Sequence, residues 1–188
     1  NMVGKSEKQR AATITYIKEV IEFVAELEGE IVTVVPATVG KILPEASPEE
    51  EWKWAVEGCK ELYGLGQKKG VKIALEPLNR FETNFISRAD QALALAKAVG
   101  PDCGVCLDIF HMNIEEDDIY AAIRRAKGRL VGFHVADNNR MAPGMGALNW
   151  KKIIKTLQEI GYDKVLSVEF CSPLDRTPAN PHPNSIET

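Results

Sequence analysis

Four apolar, strand-like runs each end in a residue able to ligate a metal ion. They are VKIALE (Val71–Glu76), CGVCLD (Cys103–Asp108), LVGFH (Leu130–His134) and LSVE (Leu166–Glu169), and the ligand candidates are Glu76, Asp108, His134 and Glu169. Taken singly, a carboxylate at a strand end is commonly a solvated loop residue or a cap, and one His in an apolar run is commonly a core residue. Acidic residues are 27 of 188 and histidines only 3, so the recurrence in four consecutive units outweighs those readings. Helical segments separate the runs, which makes the strands parallel. The C-terminal ends of parallel strands in a barrel share one face. Three carboxylates and an imidazole gathered there form a site for one divalent ion. Its mostly oxygen donors suit Mn²⁺ first, with Mg²⁺ or Co²⁺ also accommodated. Four protein donors leave two positions of a six-coordinate ion for substrate.

The elements that must position these residues are legible. Ser6-Glu-Lys-Gln9 has the form of a capping box, and a helix follows to about Glu28 with Ile14, Ile17, Val20, Ile21 and Val24 on one face. Ser47-Pro-Glu-Glu50 opens a second helix that runs to about Lys69, where Gly70 stops it. Ser87-Arg-Ala-Asp90 caps a third, to about Val99. IFHMNIEEDD follows the strand ending at Asp108, and helices are expected around Ile119–Ala126 and from Trp150 to Ile160. The strands fall at about 31–37, 71–76, 103–108, 130–135 and 165–170. The pattern is α/β with five parallel strands. A (β/α)₈ TIM barrel needs eight strands and usually ~250 residues, so residues 1–170 read as a partial TIM-barrel domain holding the last five strands, the N-terminal ones missing. Its two unpaired edges predict upstream sequence or a partner to cover them, and a homo-oligomer is expected. Residues 171–188, rich in Pro and polar side chains, read as an extended C-terminal tail.

Composition removes several function classes. The net charge of −4 argues against a broad nucleic-acid surface. No apolar run approaches the ~20 residues of a membrane span, and the polar start NMVGKSEKQR has no signal-peptide core. The expected location is the cytoplasm, with no membrane and no nucleic acid as partner. Four cysteines do not suggest a disulfide framework. Cys103 and Cys106 match C-x-x-C, yet within one strand their side chains point to opposite faces.

Longer motifs carry a resemblance. They are LEPLNRFETNF (Leu75–Phe85), LDIFHMNIEEDD (Leu107–Asp118), FHVADNNRMAPGMG (Phe133–Gly146) and VEF (Val168–Phe170). At these the chain resembles the xylose-isomerase-like TIM-barrel superfamily of sugar isomerases and epimerases, most of all the D-tagatose/D-psicose 3-epimerase family. The resemblance implies metal ligands at Glu76, Asp108, His134 and Glu169, the same four that the strand ends supply. It implies substrate contacts from Glu82, His111 and Arg140. By position alone these three could equally be a solvated loop carboxylate, a helix-start residue and a surface cation. It further implies a small-molecule sugar substrate, epimerised at C3 through a metal-stabilised enediolate. Glu76 and Glu169 are then the catalytic pair, one taking a proton and the other returning one to the opposite face. The tail CSPLDRTPANP departs from the ends of characterised 3-epimerases. Sister activities stay open: ketose/aldose isomerisation, hydroxypyruvate isomerisation and inosose dehydration. A phosphodiesterase of the endonuclease IV type needs more histidines than the three present, and a non-catalytic binding protein has no need of an intact ligand set.

Overall fold

Five strands form one parallel sheet in the order β1-β2-β3-β4-β5, the order of the chain. The structure is a computed structural model and describes residues 1–171. Helix α1 (Glu7–Glu26) precedes β1 (Ile31–Val34); α2 (Pro48–Lys69) leads to β2 (Lys72–Leu75) and α3 (Ala89–Val99) to β3 (Gly104–Asp108). Two short helices, α4 (Ile109–Glu115) and α5 (Ile119–Arg125), precede β4 (Leu130–Val135), and α6 (Trp150–Glu159) precedes β5 (Leu166–Val168). Every pairing is parallel. The sheet curls so that β1 and β4 come within contact range, giving a half-barrel. The tail expected over 171–188 lies, beyond Cys171, outside the described residues. No described helix is long and apolar enough to cross a membrane.

The strand period of two sorts the side chains. Val32, Val34, Ile73, Leu75, Val105, Leu107, Phe133 and Val135 face the helices and fill the main core. Ala74, Cys106 and Val131 form a small second cluster against Ile31. Cys103 belongs to the first cluster and Cys106 to the second, as alternation requires.

Local chemistry sets the boundaries. β1 stops at Val34, short of the expected Ala37, and Pro36 brings no N–H to extend the ladder. Ser47 and Glu50 form a reciprocal capping box with Pro48 in the first turn, and Gly70 ends α2 at φ 74°. The Ser6 hydroxyl accepts from Gln9 N–H, the one half of its expected box that forms. The α3 start differs from expectation. Ser87 does not cap it; Gln91 Oε1 accepts from both Ser87 and Arg88 N–H, and Glu116 Oε1 accepts from Ala89 N–H at 2.7 Å. A carboxylate from another segment thus satisfies an orphan donor that Ser87 leaves.

The segment after β3 is helical where the sequence reads simply as a connection. Asp108 is the reason: its Oδ1 accepts from Phe110 N–H at 2.8 Å and caps α4. The two glutamates ending this helix brace its neighbours. Glu115 receives the Arg80 backbone N–H and both arms of its guanidinium, and Glu116 meets Arg125 as well as Ala89.

Candidate metal centre

Glu76, Asp108, His134 and Glu169 come together at the C-terminal ends of β2 to β5. One ligand atom from each lies within 4.8 Å of all the others. Asp108 and His134 are register partners on β3 and β4. Glu76 follows β2 directly, Glu169 follows β5, and each is one step beyond an outward-facing residue. Asp108 is fully buried, Glu76 nearly so, His134 partly, while Glu169 keeps 46% of its side chain exposed.

His134 Nδ1 sits 2.9 Å from Glu76 Oε1 and 2.6 Å from Glu169 Oε2. Burial pulls the imidazole pKa down. Hydrogen bonding with Cys106, Glu169 and Glu76 outweighs that and pushes it up to about 12. Glu169 is held below the usual carboxylate range, chiefly by its bond with His134. Burial raises the Asp108 pKa, with the Arg140 guanidinium opposing. The donor set fits a divalent ion. Bonds of about 2.1 Å place neighbouring donors ~3 Å and opposite donors ~4 Å apart, so a modest contraction closes the shell. Three carboxylates within that radius repel one another, and the His134 imidazole and Arg140 guanidinium beside them offset part of that charge.

The three further candidates surround this cluster. Arg140 contacts Asp108 Oδ2 through Nη1 and approaches Glu169 Oε1 at 3.3 Å through Nη2, with its guanidinium 4.7 Å above the Phe110 ring. His111 lies on α4, one turn beyond Asp108, with Nε2 3.7 Å from Asp108 Oδ2. Glu82 Oε1 stands 3.8 Å from the other ring nitrogen of His111. Burial lowers the His111 pKa against the pull of Asp108 and Glu82, favouring the neutral ring. The Asn79 backbone N–H donates to Nδ1 at 3.3 Å and the Asn79 amide nitrogen lies 2.8 Å from it. Nδ1 therefore accepts, and the ring proton is assigned to Nε2, on the side of the metal cluster.

Sequence reasoning missed the residues that hold these three. Asn79, 2% exposed, uses its amide group on both Glu82 Oε1 (2.9 Å) and His111 Nδ1. Asp137 is fully buried in the loop after β4. Its Oδ1 accepts from the N–H groups of Asn138 (2.9 Å) and Leu148 (3.2 Å), and its Oδ2 from Gly144 N–H (2.8 Å) and Trp150 Nε1–H (2.7 Å). Burial raises its pKa, and those four donors reverse the effect and hold it at about 2. Asp137 and Arg140 are also joined by Arg140 N–H to Asp137 C=O at 2.9 Å, with Arg140 at φ 61°. A third brace is the buried pair Lys41–Glu51 at 2.7 Å. With Asn84 it ties the loop after β1 to the loop carrying Glu82. Gly40 N–H donates to Glu82 C=O across the same junction. The available signal was slight: an Asn two residues after Glu-Pro, and an Asp three residues after the His.

A curled parallel sheet with four candidate metal donors at its strand ends is an arrangement of the TIM-barrel type. The model of the xylose isomerase-like TIM barrel family matches residues 1–187, and the chain belongs to that family. It is 31% identical over 175 residues to the D-psicose 3-epimerase of Agrobacterium fabrum, covering 90% of this chain and 60% of that protein. It is 39% identical over 120 residues to the D-psicose 3-epimerase of Ruminiclostridium cellulolyticum, covering 63% of this chain and 41% of the relative. A solved L-ribulose 3-epimerase matches with a TM-score of 0.86 at 30% identity, over 92% of this chain and 58% of its own. The chain thus spans 60% or less of the length of these proteins.

Proposed function

We propose that the protein is a divalent-metal-dependent ketose 3-epimerase. The observation that carries this is the four-donor cluster with His111, Arg140 and Glu82 around it, in a chain related to ketose 3-epimerases. Glu76, Asp108, His134 and Glu169 would hold the ion, Mn²⁺ in preference on donor hardness. Once bound, the ion supplies Lewis-acid polarisation of substrate oxygens and offsets the negative charge left when a C–H beside the carbonyl loses its proton.

The chain's own groups do the rest. Inversion at C3 requires a proton to leave one face and another to arrive at the opposite face. Glu76 and Glu169, just beyond the ends of two different strands, one buried and one half-exposed, would carry these transfers. In each direction one glutamate takes the C3 proton and the other, entering protonated, delivers one to the opposite face; proton exchange with solvent then restores the pair, so the cycle is proton-neutral. Positioned acid–base groups contribute ~10²–10⁴-fold. His111 Nε2–H and the Arg140 guanidinium donate to substrate oxygens, and Glu82 accepts from a hydroxyl. The substrate is a small ketose, and the protein works in the cytoplasm. It is taken to assemble as a homo-oligomer; Val165, Val168 and Phe170, large apolar side chains exposed at the β5 edge, are open to a covering copy or segment.

The test is incubation with Mn²⁺ in D₂O and a panel of ketoses that includes D-psicose and L-ribulose, followed by NMR. Deuterium at C3 together with the 3-epimer is expected. Label at C1 with an aldose product, loss of water from the sugar, or no exchange in any ketose would overturn the assignment.

A further inference from the structure

Cys106 is not one of the four donors of the centre above, yet it stands beside them. It faces the concave side of β3, two residues before Asp108, and its register partner is Gly132 on β4. Continuing the register Leu75–Val105 by one residue places Glu76, just beyond β2, next to it. One ligand atom each from Glu76, Cys106 and His134 lie within 4.8 Å of one another. The space is kept open by Gly132, where a Cβ would stand 2.8 Å from Cys106 Sγ. Beneath His134 a hollow of about 490 Å³, lined by Ile31, Thr33, Cys106, Gly132 and Ser167 among others, leaves room for a water ligand.

We infer that Glu76, Cys106 and His134 form a second cation site, one layer deeper in the half-barrel, for a thiophilic divalent ion such as Zn²⁺ or Cd²⁺. One sulfur, one nitrogen and one oxygen donor with a water completing a tetrahedron is a zinc-type set. The four-donor centre, with three carboxylates, favours harder and higher-coordinate ions. On binding, a sulfur–metal bond forms and the Cys106 S–H proton passes to the buffer. The two sites share Glu76 and His134, so occupation of the deeper one withdraws donors from the upper one. The inference rests on the proposed centre only for that competition; the sulfur ligation stands apart from it.

The experiment is a Cd²⁺ titration of the protein in a Cys171→Ser background, since Cys171 is exposed while Cys59 and Cys103 are buried on the helix side. The ultraviolet thiolate-to-cadmium charge-transfer band is read, with Mn²⁺ binding followed separately by EPR. One thiolate band per chain is expected, with displacement of Mn²⁺. Cys106→Ser and Cys106→Ala should both lose the band and still bind Mn²⁺, which shows their centre to be intact. Their Cd²⁺ affinity should fall by at least the roughly 10–100-fold that loss of a supporting contact costs a metal site. Glu169→Gln, outside the triad, should keep the band. A band that survives both Cys106 substitutions, or Cd²⁺ bound in the parent with no band, overturns the inference. Loss of Mn²⁺ binding together with the band in both variants also overturns it, because Cys106 then supports the upper centre. A missing band with normal C3 exchange would leave the epimerase reading intact, so the two failures are distinguishable.

Discussion

Asp137→Asn is the sharpest test of how the loop after β4 is held. The carboxylate is fully buried and receives four N–H groups, two on each oxygen. Asparagine has the same shape but one accepting oxygen. Its amide must face either the Asn138 and Leu148 donors or those of Gly144 and Trp150. Two buried donors then lose their acceptor, at about 1–3 kcal/mol each, or about 2–6 kcal/mol together. Even the lower figure corresponds to a Tm fall of about 4–8 °C in a chain this size. The loss is local first. Amide exchange at Gly144 and Leu148 should accelerate, and Arg140, bonded through its backbone to Asp137, should leave Asp108 and Glu169. Turnover should therefore fall through Arg140. In a double-mutant cycle, Asp137→Asn added to Arg140→Ala should cost little further activity. The pH dependence has a definite sign. The folded pKa of about 2 lies below the ordinary 3.8, so the folded state binds fewer protons. The carboxylate's stabilisation is complete above about pH 4 and is lost as pH falls through about 2. Wild type and variant should thus converge in stability over that window. Unchanged exchange in 138–148, or strict additivity with Arg140→Ala, would refute the reasoning.

Three other outcomes are expected. Glu76→Gln and Glu169→Gln should each nearly abolish epimerisation, because Gln keeps a ligating oxygen and loses the base; metal content and C3 deuterium exchange, measured together, check this, and near-wild-type inversion with metal bound would exclude the two-glutamate mechanism. Asn79→Ala frees both Glu82 and His111, so KM for the sugar should rise while Mn²⁺ affinity stays within a few-fold, as steady-state kinetics and EPR would show. Lys41→Met leaves Glu51 buried without its cation and should destabilise by about 3–5 kcal/mol, read from the denaturant midpoint, with much of the loss restored when Glu51→Leu is added.

The donors were legible in the sequence because a parallel strand announces itself twice, by its apolar run and by the polar residue that ends it. Alternation then settles which residue turns inward, as Leu107 and Asp108 or Phe133 and His134 illustrate. Other features were hidden for identifiable reasons. The helix Ile109–Glu115 depends on Asp108 acting as cap and site carboxylate at once, and no local pattern declares that double use. Ser87 resembled a cap, but the Ala89 N–H it would satisfy is taken by Glu116, 27 residues away, while Gln91 accepts the N–H groups of Ser87 and Arg88. Asn79 and Asp137 are polar residues in polar loops. Their burial is a product of tertiary closure, which composition and period do not encode.

The division between the two kinds of residue has a functional consequence. Asp108, His134 and the two glutamates are fixed by sheet register, in which a one-residue slip would turn every inward side chain outward. Glu82, His111 and Arg140 are fixed by buried polar clusters: Asn79 for the first two, Asp137 for the third, with Lys41–Glu51 bracing the loop beneath Glu82. A polar cluster can be exchanged residue by residue without disturbing the ladder. On the proposed function, metal chemistry and choice of sugar would rest on separable parts of the chain, with proton abstraction beside a carbonyl at the strand ends and the accepted hydroxyl pattern set by the loops. A change of substrate should accordingly be reached through positions 79–84 and 137–148, with the four donors left as they are.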